Sequence, residues 1–126
     1  MKNYLTAESI LSAEDFTYAD VDCPEWGGTV RVRSLSGAQR VTLKKAMNSD
    51  QTDIDEMLCV MSIVDADGNR IFSRSQIGEL GKKNTMPITR IAIRALEISG
   101  LREPAKSVKD AEKNSEETAS ADSSYD

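Results

Sequence analysis

The sequence predicts an α+β fold, mainly α, with an N-terminal β-hairpin packed on about four helices and a disordered acidic C-terminal tail. Three observations carry this expectation. Residues 16–23 and 29–34 alternate with period two around a short loop rich in Pro and Gly, the pattern of two paired strands. Two Ser-x-x-Gln capping boxes and one strongly periodic apolar stripe mark helices. From Glu103 onward the chain almost lacks large apolar side chains, so burial there cannot offset chain entropy. The expected organisation is a domain over 1–102 and a tail over 103–126.

Taken in order, Thr6-Ala7-Glu8-Ser9-Ile10-Leu11 offers a Thr cap, an early acid and an apolar pair, enough for a short helix or a single turn. The first strand splits into two registers. Thr17, Ala19, Val21 and Cys23 are expected to face the core, and Phe16, Tyr18, Asp20 and Asp22 lie on the other face. On the return strand Val30 and Val32 point inward, while Arg31 and Arg33 point to solvent or to a partner. The Gly27-Gly28 pair reads as a hairpin loop that needs positive φ. Ser36 and Gln39 form the first capping box, opening a helix from about 37 to Met47, which Asn48-Ser49-Asp50 ends.

A second helix is expected from near Asp53, with Glu56 three residues on, through Val64. Residues 57–64 are apolar on nearly every face, which fits a buried helix or an inner strand; the acidic start and the two Met residues favour helix. Asp65-Ala66-Asp67-Gly68-Asn69-Arg70 is a tight turn, and Ile71-Phe72 a short extended piece. Ser73 and Gln76 repeat the capping box before a short helix carrying Ile77 and Leu80 inward and ending near Gly81. The last helix has Ile88, Ile91, Ala92, Ala95 and Leu96 on one face. Thr85 is its expected N-cap, and Gly100, Leu101 and Pro104 suit a Schellman end.

Composition bounds the function. With 16 basic and 21 acidic residues the net charge is -5, and the tail holds seven acids against three lysines, leaving the body at -1. No concentrated basic face exists for phosphate, so nucleic acid is not an expected partner. No run of eighteen apolar residues and no secretory h-region is present, so neither a membrane nor export is expected. The chain has no His, which removes the commonest general base and metal ligand and the Ser-His and Cys-His nucleophile pairs. Cys23 and Cys59 lack metal or redox spacing and are expected as free thiols.

The motifs carry little chemistry. Asp65-x-Asp67-x-Asn69 starts like a calcium loop but has Arg70 and Gln76 where that loop needs Gly and Glu. Asp53 and Asp55 have no nucleophile or cofactor motif to work with. No catalytic, cofactor or metal residue is therefore expected, and the chain reads as a binding protein, not an enzyme. The candidate partner-binding residues are Pro24, Trp26, Arg31, Arg33, Met57 and Met61. Trp26 either anchors another protein or folds over a small core. Met57 and Met61, one turn apart, suit an adaptable surface or fill core gaps.

The ordered segments Leu5-Thr6-Ala7-Glu8-Ser9-Ile10-Leu11, Val21-x-Cys23-Pro24-Glu25-Trp26-Gly27-Gly28-x-Val30-x-Val32-Arg33-x-Leu35-x-Gly37, Val64-Asp65-x-Asp67-Gly68-x-x-Ile71-Phe72 and Ile98-Ser99-Gly100-Leu101 together resemble the tail assembly chaperones of long non-contractile-tailed bacteriophages (siphophages). The resemblance spans nearly all of residues 5 to 101. It implies a non-enzymatic protein of the host cytoplasm that binds and solubilises the tape measure protein, helps recruit tail tube subunits and is absent from the mature virion. It also implies a longer product made by ribosomal frameshifting, for which the polar segment after Leu101 would be the tether. Self-association is expected, since many small copies are needed to cover a long partner. The contact surface is expected in an apolar groove bordered by the hairpin and the last helix. The alternative is a structural virion component, such as a tail-completion or head-tail connector subunit.

Overall fold

The hairpin forms where the alternation places it. In the computed structural model, which describes residues 2–103, β1 (Tyr18–Cys23) pairs antiparallel with β2 (Gly28–Arg33), Tyr18 opposite Arg33 and Cys23 opposite Gly28. A single 3-10 turn, Pro24–Trp26, joins them. Gly27 ends that turn at φ 78, the left-handed conformation expected of the glycine pair; Gly28 is already strand. Val21, Cys23 and Val32 are buried on the inner face, as their register requires.

The first two predicted helix starts are both seen. Helix α1 (Ala7–Ser12) carries a complete capping box between Thr6 and Ser9. Helix α2 (Gly37–Met47) carries one between Ser36 and Gln39. Gln39 does more than close the box. Its Nε2 donates to the Met61 carbonyl at 3.0 Å, so one side chain ties the start of α2 to the last turn of the next helix.

That next helix, α3 (Ile54–Ser62), stops two residues short of the expected end. Ile63 and Val64 instead form β3, paired antiparallel with β2 so that Ile63 opposes Val32 and Val64 opposes Arg31. The apolar run is thus helix and strand in succession with no loop between. The physical reason is that two consecutive β-branched residues favour extended backbone, and here they satisfy the far edge of β2. Asp53 sits at the N-cap but its side chain caps nothing; its carboxylate accepts from Gln51 Nε2 at 2.8 Å. The sheet order is β1-β2-β3, and an isolated bridge between Val64 and Arg70 extends it by one residue.

The turn after β3 is held by Asp65, whose Oδ1 accepts from the N–H groups of Asp67 and Asn69 at 2.9 and 3.0 Å. A 3-10 turn, Arg74–Gln76, leads into α4 (Ile77–Leu80), with Gln76 Oε1 accepting from the Ser73 N–H at 2.8 Å. The last helix, α5 (Thr85–Ile98), is capped by Asn84, whose side chain accepts from Met86 N–H; Thr85 is its first residue, not its cap. Asn is the stronger cap, which explains the shift by one. At the other end Gly100 lies at φ 74, and the Leu101 N–H reaches the Leu96 carbonyl at 2.9 Å, the Schellman closure. Pro104 and all of the expected 103–126 tail beyond Glu103 lie outside the described residues.

Helix α3 is the centre. It packs on α5, α2 and α4, and Met57 through Ser62 are all buried. The hydroxyl of Ser62 is satisfied by the Leu58 carbonyl at 2.7 Å, as a buried polar group requires. One core lies between the inner sheet face, α3 and α5, built from Val21, Cys23, Val32, Cys59, Val60, Ile63, Leu80, Ile88, Ile91 and Ala95. A second joins α2, α3 and α5 through Leu43, Ala46, Met57, Leu58, Met61 and Ala92. Burying each of the larger side chains contributes roughly 1.5–3 kcal/mol. No helix among the described residues is long and apolar enough to cross a membrane.

Candidate protein-binding surface

The outer face of the sheet carries a ladder of aromatic rings and arginines that follows from strand register. Side chains at i and i+2 of β1 share a face, and they meet diagonal neighbours on β2. The Arg33 guanidinium lies over the Phe16 ring at 4.1 Å, and that of Arg31 over the Tyr18 ring at 4.2 Å. Both arginines are half-buried. Arg31 Nη1 donates to the Ala66 carbonyl and Arg33 Nη2 to Gln39 Oε1 at 3.3 Å. Arg33 Nε is the one buried polar side-chain atom without a partner among the described residues. An open groove of about 690 Å³ crosses this face, lined by Tyr18, Asp20, Thr29, Arg31, Val64 and Asp65 among others. The signal for this ladder was in the second register of the first strand, where Phe16 and Tyr18 alternate opposite the two arginines.

The hairpin tip is anchored from outside the sheet. Arg90 on α5 makes a two-pronged contact with Glu25, Nη1 to Oε1 at 3.0 Å and Nη2 to Oε2 at 2.8 Å, and Nη1 also donates to the Asp22 carbonyl at 3.1 Å. Such fork-to-fork pairs hold geometry as well as charge. The hydrogen bonds from Arg90 are the main cause that lowers the Glu25 pKa from 4.5 to about 2. Hydrogen bonding to Glu25 in turn raises the pKa of Arg90. Sequence reading missed this pair, since 65 residues separate its members and nothing local marks either one.

The six expected contact residues fall into separate places. Pro24 and Trp26 sit together on the anchored tip, with Trp26 38% exposed. Arg31 and Arg33 lie on the outer sheet face, each committed to a ring. Met57 and Met61 are 2% and 6% exposed, inside the second core, so they fill core gaps and offer no surface. The reason is that helices surround α3 on several sides and leave no apolar face outward. The apolar groove expected between hairpin and last helix is likewise filled: Val21, Cys23 and Val32 pack there with Ile88, Ile91 and Ala95.

Unburied apolar surface lies elsewhere. Helix α1 buries no residue, and around it Tyr4, Leu5, Ile10 and Leu11 are 82, 65, 54 and 86% exposed. Both cysteines are buried free thiols. Burial raises the Cys59 pKa to about 12 and is the main cause of an upward shift at Cys23, which keeps both thiols protonated and unreactive. No cluster of three or more His, Cys, Asp or Glu among the described residues could hold a metal ion.

A similar fold occurs in a known structure. The chain is similar in fold to the solved structure of the bacteriophage HK97 tail assembly chaperone, with a TM-score of 0.58 and 21% sequence identity over 72% of this chain and 90% of that one. No protein-family model matches the chain, and no curated protein matches it in sequence.

Proposed function

We propose that this chain is a siphophage tail assembly chaperone, a non-enzymatic protein that binds and solubilises the tape measure protein in the host cytoplasm and helps recruit tail tube subunits. The observation that carries the reading is the shared fold with the HK97 protein over nine-tenths of that chain's length. Two features of the surface support it. The exposed apolar side chains of Tyr4, Leu5, Ile10 and Leu11 have no core to serve, which is expected of a protein whose work is to cover another's apolar surface. The hairpin tip holds an aromatic side chain on a loop pinned by Arg90, a preorganised contact that costs little ordering entropy on binding. Contacts are assigned to Pro24 and Trp26 at the tip and to Arg31 and Arg33 on the sheet face. Several copies act together on one long partner, and none remains in the virion.

Co-expression with the tape measure protein of the same genome tests this. The expected result is soluble tape measure protein that copurifies with the chain and is lost as inclusion bodies without it. Equal insolubility with and without the chain would overturn the reading. Recovery of the chain in purified virions would favour a structural virion component instead.

A further inference from the structure

We propose that copies of this chain join head to tail by continuing the sheet, the free edge of β1 in one copy pairing with residues 70–72 of the next so that Asp20 meets Arg70 across the joint. Backbone alternation exposes both edges. The Ser34 N–H donates to the Thr17 carbonyl at 2.8 Å, so Thr17, Ala19 and Val21 turn their backbone groups toward β2, and Tyr18 and Asp20 turn theirs away to the open edge. At the opposite edge the Asp65 N–H donates to the Asn69 carbonyl at 2.8 Å, so Asn69 faces β3 and Arg70 turns its backbone outward.

The charges at these two edges belong to one row. Asp20 opposes Arg31, Arg31 opposes Val64, and Val64 is bridged to Arg70, so a single cross-strand line on the outer face begins in a carboxylate and ends in a guanidinium. Both end residues are exposed, and neither side chain has a hydrogen bond or ion pair among the described residues. Adding a second copy at either end continues the row with the opposite sign. Pairing β1 with itself about a two-fold axis at Asp20 would set two carboxylates face to face, so the edge opposes that dimer. A head-to-tail joint does not close at two copies, and assembly therefore grows with concentration.

This deepens the multicopy part of the reading above and rests on it. The test is light scattering behind size exclusion on the full chain over a concentration series, for wild type, Asp20→Arg, Arg70→Asp and the double variant, with circular dichroism to show that each is folded. The expected result is wild-type mass rising beyond a dimer, an apparent association constant reduced by at least about tenfold in each single reversal, and recovery in the double. A wild type monomeric throughout, single reversals that assemble like wild type, or a double variant that stays dissociated would each overturn the joint. A chain that solubilises the tape measure protein yet fails here refutes the joint alone; one that assembles through Asp20 and Arg70 yet leaves that protein insoluble refutes only the chaperone reading.

Discussion

Arg90 holds both carboxylate oxygens of Glu25, at 3.0 and 2.8 Å, and thereby fixes the tip of the hairpin to the middle of α5, the longest helix among the described residues. The pair links the exposed Trp26 at the hairpin tip to the main core through α5. Because the folded pKa of Glu25, about 2, lies below its ordinary 4.5, the stabilisation is present in full above the ordinary value and is lost as pH falls through the folded one. Glu25→Gln is therefore expected to melt below wild type at about pH 7, with the two melting temperatures converging toward about pH 2. Melting curves by circular dichroism across that range check this; a constant difference would show that the ion pair is not its source.

Gln39 closes a cap and holds the Met61 carbonyl with the same amide. Replacing it with Ala removes part of the cap and strips a donor from a carbonyl at the end of the central helix. Gln39→Ala is expected to lower unfolding free energy by about 2 kcal/mol, from about 0.5–2 for a cap and about 1–3 for an orphaned buried group, which overlap. Urea denaturation with an unchanged m-value measures it.

Core and surface leucines should separate sharply. Leu58 is 1% exposed between α2, α3 and α5, and Leu58→Ala is expected to cost about 3 kcal/mol. Leu11 is 86% exposed, and Leu11→Ala should stay within about 0.5 kcal/mol of wild type. If α1 contacts the tape measure protein, Leu11→Ala reduces copurification while leaving stability intact. Urea curves and pull-down yield on the same two variants decide both points.

Cys59 is sealed in the core with its pKa pushed up to about 12. Thiol labelling at about pH 8 is expected to proceed at the rate of unfolding or local opening, and to become fast in denaturant. Rapid labelling of the native Cys59→Ser and wild-type chains alike would mean that Cys23 is reached first from outside.

Much of this fold is legible in the sequence because its signals are local. The Ser36-Gln39 box, the Thr6 cap, the Gly100 end and the alternation of Val21 with Cys23 each act over six residues or fewer. Residues 57–64 are different: a run apolar on nearly every face states burial but not backbone, and the β-branched Ile63 and Val64 become strand against an edge of β2 that is distant in sequence. Asn84 and Thr85 compete for one cap, a choice that propensity narrows without fixing. Of the expected contact residues, Trp26 lies exposed at the hairpin tip and Arg31 and Arg33 lie on the outer sheet face, positions that the strand alternation sets. Met57 and Met61 were misplaced because side-chain softness describes a surface and a core gap equally well. The Glu25–Arg90 pair was invisible, since an ion pair between distant elements leaves no mark on spacing.

The absence of any linker between Ser62 and Ile63 has a mechanical consequence. A helix that becomes a strand in one step leaves no slack chain between them, so a pull on β3 reaches the end of α3 without first straightening a loop. A partner that grips the hairpin therefore pulls, through β2 and β3, on the same helix around which α2, α4 and α5 are packed.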